Sequence, residues 1–113
     1  IKNDTFREIV ESSRHSTGVT NIHPDGITYY STMFKNLSDP TVTGGKILGG
    51  KTGYTSEAGH CLASFAEIEG REYIFVSAGA SGADGNTIPH IQDAVTIYNR
   101  VGEAIEGKLN NNE

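Results

Sequence analysis

Two apolar runs joined by only two residues constrain this chain more than any other feature. Residues 60–68 and 71–80 are rich in β-branched, aromatic and small apolar side chains, and Glu69-Gly70 is all that separates them. A connection that short leaves one arrangement, antiparallel neighbours in a sheet, with the glycine accepting the positive φ of a tight turn. On the first run Leu62, Ala66 and Ile68 fall on one face, and Cys61, Ala63 and Phe65 on the other. The second run contains Tyr73-Ile74-Phe75-Val76 without a break. Apolar residues on both faces imply a sheet covered on both sides. Residues 45–52 read as one more strand, so the expectation is an antiparallel three-stranded sheet.

Helices are expected on either flank, which makes the fold class α+β. Ile88, Ile91, Val95, Tyr98, Val101 and Ile105 recur at helical spacing, with Pro89 permitted in the first turn. The spacing predicts a helix over 88–106 packed on one face of the sheet. Gly107 and Asn110-Asn111-Asn112 predict a frayed tail over 107–113. Near the start, Asp4 or Thr5 can cap a short helix, with Glu8 placed for a capping box and Phe6, Ile9 and Val10 on one side. Residues 13–45, rich in Ser, Thr, Asn, Gly and Pro, read as loop with brief structure, including a short extended or helical piece within 29–37. A loop that long is unusual inside a compact domain. Residues 1–106 therefore read as one small domain or part of one, and there are no internal repeats.

Composition excludes several classes. The net charge of −5 argues against a nucleic-acid partner, which calls for a basic patch. No apolar run approaches the roughly 18 residues of a membrane span. The opening on Ile1, with no leader pattern, suits an excised segment. Cys61 has no partner for an internal disulfide and reads as a small buried strand residue. His15, His23, His60 and His90 lack metal-ligand spacing, so no zinc site is expected. The glycine-rich run in 79–85 lacks the Gly-Lys-Ser/Thr ending of a phosphate loop and reads as a strand-to-helix connection.

The chemistry centres on Gly49-Gly50-Lys51-Thr52-Gly53-Tyr54-Thr55. Two glycines before Lys51 leave backbone against which a ligand can lie close. Lys51 offers a compact charge with three donors, suited to a carboxylate, and Thr52 adds a rotatable hydroxyl beside it. The whole run over 46–66, KILGGKTGYTSEAGHCLASFA, resembles the strands around the Lys-Thr-Gly motif of serine-type D-alanyl-D-alanine carboxypeptidases, the low-molecular-weight penicillin-binding proteins. Residues 3–10 (NDTFREIV) and 21–26 (NIHPDG) are similar to segments preceding that strand in the same family, so the likeness extends to about Val101.

The resemblance implies a fragment of the β-lactamase/transpeptidase-like fold, an exported enzyme of the cell envelope and no cofactor. Its partners would be peptidoglycan stem peptides, trimmed of their terminal D-alanine, and β-lactams that acylate it. By that likeness Lys51 is catalytic, holding the substrate carboxylate with Thr52 and assisting the proton relay. Gly53 and Tyr54 complete the substrate-binding set, the Tyr54 N–H serving half of an oxyanion hole. The family's other two motifs, Ser-x-x-Lys and Ser-x-Asn, are absent; Thr32-x-x-Lys35 and Thr43-x-x-Lys46 are the nearest imitations. The chain thus resembles the C-terminal part of such a catalytic domain, without its N-terminal part and without its nucleophile, and is expected to be inactive alone.

Two alternatives stand beside this reading: a non-catalytic module binding peptide or partner, and a β-lactamase relative, which the Tyr54-Thr55-Ser56-Glu57-Ala58-Gly59 continuation disfavours. In the family, the strand matching residues 71–80 pairs on its far side with a strand this chain lacks. That implies an open apolar edge, an uncovered Phe65 and self-association.

Overall fold

A computed structural model describes residues 1–82 and 88–111. Residues 83–87, within the expected glycine-rich connection, and 112–113, at the end of the expected tail, lie outside them. Helix α1 (Asp4–Glu11) is followed by strands β1 (Arg14–Ser16) and β2 (Thr28–Tyr30) and by helix α2 (Thr32–Lys35). Strands β3 (Thr41–Val42), β4 (Gly45–Thr55), β5 (Gly59–Ile68) and β6 (Arg71–Ala80) come next, and helix α3 (Pro89–Asn111) closes the order.

The fold is α+β, but the antiparallel main sheet has four strands in the order β3-β4-β5-β6, not three. The extra strand has two residues, too few to display any alternation of apolar and polar positions. A second sheet, β1 with β2, lies within the stretch read as loop, and 29–37 holds both an extended piece and a helical one. The β5–β6 turn is as the spacing requires. Glu69 and Gly70 both take positive φ, 49° and 75°, the signs of the two central residues of a type I′ hairpin.

Helix α3 covers one face of the sheet. Its Ile91, Ala94 and Tyr98 are buried against Ile47, Leu62, Ala66 and Ile68, with Met33 and Val42 completing the core. Tyr98 is 1% exposed, and its hydroxyl lies 3.0 Å from Ser64 Oγ, so the ring is buried without orphaning its polar tip. Full burial of a side chain this size contributes about 1.5–3 kcal/mol. The Thr43 N–H and hydroxyl both donate to Asn99 Oδ1, at 2.8 and 3.2 Å, tying the β3–β4 turn to the middle of α3. The helix runs beyond residue 106, through Gly107, to Asn111.

The other face is covered only in part, so the expectation of a sheet sheltered on both sides needs correction. Helix α1 is capped by Asn3, whose Oδ1 accepts from the Phe6 N–H at 2.9 Å, one residue before the expected cap. From α1 the Arg7 guanidinium sits over the Phe65 ring, 5.2 Å from its centroid, and pairs with Glu72 on β6. Phe65 is consequently 3% exposed, not uncovered as expected. Ile74, which shares a groove with Phe6 and Val10 of α1, and Val76 are nonetheless 64% and 69% exposed. No strand among the described residues pairs with the outer edge of β6. The accessible surface is 7814 Å², against about 6,000 Å² for a compact monomer of 12.1 kDa. The radius of gyration, 16.7 Å, likewise exceeds the ~13 Å of a compact chain of about 100 residues.

Candidate functional site

Strand β4 carries every expected site residue. It pairs with β5 along its length, from Gly45↔Ile68 to Thr55↔Gly59, with the register shifting once between Ile47 and Gly49. On its other side β3 reaches only Gly45 and Lys46, and Ile47 N–H donates to the Pro40 carbonyl at 2.8 Å. Past that point no strand among the described residues pairs with this edge of β4. The open stretch includes Lys51 and Thr52, and a cleft of about 240 Å³ lies beside it. Gly50, Lys51 and Thr52 form one wall of that cleft; the β1–β2 hairpin, the end of α1 and Met33 form the others.

The glycines before Lys51 serve the protein's own packing, which revises the reading that they leave room for a ligand. A Cβ on Gly49 would stand 2.6 Å from the Val10 carbonyl oxygen, and one on Gly50 would stand 2.6 Å from the Ala63 carbonyl oxygen of β5 and 2.8 Å from Met33 Sδ. All these distances are below any real contact, so the end of α1 and the side of α2 dock directly onto β4 backbone. The consequence for the site is rigidity: Lys51 leaves a strand clamped from two sides. Its exposed Nζ donates to the Thr52 carbonyl, a single local bond that a bound carboxylate can replace. Among the described residues Lys51 has no acidic partner.

Gly53 and Tyr54, the other expected site residues, extend β4 past the cleft instead of lining it. Both are exposed. The Tyr54 ring packs on His60, with centroids 4.7 Å apart, and His60 stacks on His90 of α3 at 5.0 Å and 10°. Cys61, on the next residue of β5, is half-buried, and its thiol donates weakly to the Ala58 and Gly59 carbonyls. The aromatic stack therefore braces the end of the β4–β5 hairpin against the start of α3.

That brace is sensitive to acid. His90 is 5% exposed and its Nδ1 has no hydrogen-bond partner among the described residues. Burial holds its pKa below the ordinary 6.5; the nearby His60 lowers it further, while Asp93 opposes both. The folded state thus disfavours the proton that the unfolded chain takes up near pH 6.5. Its contribution to stability is complete above that pH and is lost as pH falls below it. The urea midpoint is expected to drop between pH 7.5 and 5.5, and His90→Phe should flatten the dependence. Equal slopes for the two chains would show that His90 is not the group responsible.

Sequence reading missed the far wall of the cleft: Arg14, His15, Tyr29, Tyr30 and Ser31. Tyr29 and Tyr30 both line it and are exposed. The two serine hydroxyls within it are committed to backbone. Ser12 Oγ donates to the Glu8 carbonyl at 2.6 Å, and Ser31 Oγ accepts from the Phe34 N–H at 3.3 Å. Among the described residues no set of His, Cys, Asp and Glu side chains is placed to hold a metal ion, and no helix is long and apolar enough to cross a membrane. Comparison with known proteins found no matching protein-family model, curated protein or solved structure.

Proposed function

We propose that the chain is the C-terminal part of the catalytic domain of a serine-type D-alanyl-D-alanine carboxypeptidase of the cell envelope, with a β-lactamase/transpeptidase-like fold. Its role is to hold the substrate's terminal carboxylate. The observation that carries this reading is the open edge of β4 at Lys51 and Thr52, which flanks the cleft. An extended peptide laid along such an edge gains main-chain hydrogen bonds, as in strand addition. Lys51 then pairs with its carboxylate and Thr52 donates its hydroxyl. In the intact domain a serine from a Ser-x-x-Lys motif attacks the penultimate carbonyl, forming an acyl-enzyme as D-alanine leaves. The Tyr54 N–H would supply half of the oxyanion hole.

A second reading, a peptide-binding module without turnover, is favoured by one observation. Among the described residues the two serines lining the cleft bond to backbone, and neither hydrogen-bonds to the His15 that lines it with them. Both readings require the carboxylate contact. Titrating the chain with acetyl-D-alanyl-D-alanine, followed by amide NMR shifts, is expected to perturb residues 50–53. Lys51→Ala should weaken binding about fivefold to tenfold, the range for a charge-assisted contact near the surface. An unchanged affinity in Lys51→Ala would refute the carboxylate role.

A further inference from the structure

We propose that the cleft takes a ligand with two acidic groups, and that Arg14 binds the second one. This deepens the carboxylate reading above and rests on it for the first anion only. The chain as a whole is acidic, with 14 Asp and Glu against 9 Lys and Arg. The cleft reverses that balance: Arg14, His15 and Lys51 line it, and no acidic residue does. The two cationic side chains come from separate elements, Lys51 from β4 and Arg14 from β1.

Arg14 is free to act. The ion pairs among the described residues both belong to Arg7, and Arg14 makes no side-chain hydrogen bond there. It is held in place by its backbone, since β1 pairs with β2 at Arg14↔Tyr30 and the Ser16 and Thr28 hydroxyls meet across the hairpin at 2.8 Å. A guanidinium presents a planar fork of donors that fits a carboxylate with two parallel bonds, which an ammonium cannot do. Lys51 and Arg14 thus differ in what they select. A peptide whose end reaches Lys51 would set an acidic side chain, further back along its length, against Arg14. Unpaired cations facing each other across a cleft repel, and a doubly acidic ligand removes that repulsion as well.

The test compares two peptides that differ in one carboxylate: acetyl-Glu-D-alanyl-D-alanine and acetyl-Gln-D-alanyl-D-alanine. Affinities for the full 113-residue chain are read by NMR titration at low and high salt. The Glu peptide is expected to bind roughly fivefold more tightly at low salt, with the gap closing as salt rises. Arg14→Gln should abolish the gap by weakening the Glu peptide alone, and Arg14→Lys should keep part of it. Arg14 is exposed, so these variants should fold, and unchanged amide spectra away from the cleft check this. Equal affinities for the two peptides, or equal weakening of both by Arg14→Gln, would overturn the second-anion site. Loss of neither peptide in Lys51→Ala would sink the terminal-carboxylate reading instead, while leaving the Glu–Gln comparison intact. Failure of both peptides to bind would overturn the two together.

Discussion

Light scattering coupled to size exclusion is expected to give this chain a mass above its 12.1 kDa monomer at high concentration, and Ile74→Lys is expected to restore the monomer. Strand β6 is ten residues long, and no described strand pairs with its outer edge. Each unpaired backbone donor and acceptor there can serve a second copy of the same strand, because antiparallel pairing is self-complementary about a two-fold axis. Lysine or proline would block such an edge, and β6 has neither; its one basic residue, Arg71, stands at the end. Ile74 and Val76 add exposed apolar surface beside it. The accessible surface exceeds that of a compact monomer by more than the ~800 Å² each partner contributes to a standard interface. A charge at Ile74 has little to disrupt inside the monomer and much to disrupt between copies. A single species of monomer mass at every concentration would show that the edge is protected.

Strength of local signal decided what the sequence disclosed of this fold. Strand β6 has the predicted limits and β5 begins one residue early, because a two-residue turn allows no slack and both strands are apolar. The core face of α3 follows its spacing, and Ile91 and Tyr98 are both buried. Strand β4 runs three residues longer than expected, since Gly53-Tyr54-Thr55 has no apolar pattern and is strand only through pairing with Gly59–Cys61. The β1–β2 hairpin was harder, as its strands have three residues each and are wholly exposed. One cue was present: His23-Pro24-Asp25-Gly26 is a turn sequence, and Gly26, at φ 75°, donates its N–H to the His23 carbonyl. Reading it as the tip of a hairpin would have placed Arg14 near Tyr30.

The candidate site divides the same way. Lys51 and Thr52 were legible as residue types, and the cleft beside them was not, because its opposite wall comes from residues 9–33. Tyr54 belongs to the same motif but stacks on His60, away from the cleft. The glycines carry a different lesson. The feature that suggested open backbone at Gly49 and Gly50 is filled by Val10, Met33 and Ala63 of the same chain. A missing side chain records that something approaches closely, without saying what does.

On the proposed reading this chain supplies the carboxylate anchor of a penicillin-acylated carboxypeptidase while its nucleophile comes from elsewhere. Acylation is all-or-none, so it reports on that claim directly. No serine here is followed three residues later by lysine, and a carboxylate anchor with half an oxyanion hole cannot form an acyl-enzyme. The decisive measurement is labelling by a fluorescent penicillin, resolved on a denaturing gel, for the 113-residue chain and for the chain extended by the reading frame upstream of Ile1. No band is expected for the 113 residues. A stable band is expected for the extended chain, on the serine of a Ser-x-x-Lys motif and much weaker in Lys51→Ala. A denaturation-resistant label on the 113-residue chain, or an extended chain that takes none, would contradict the proposed reading.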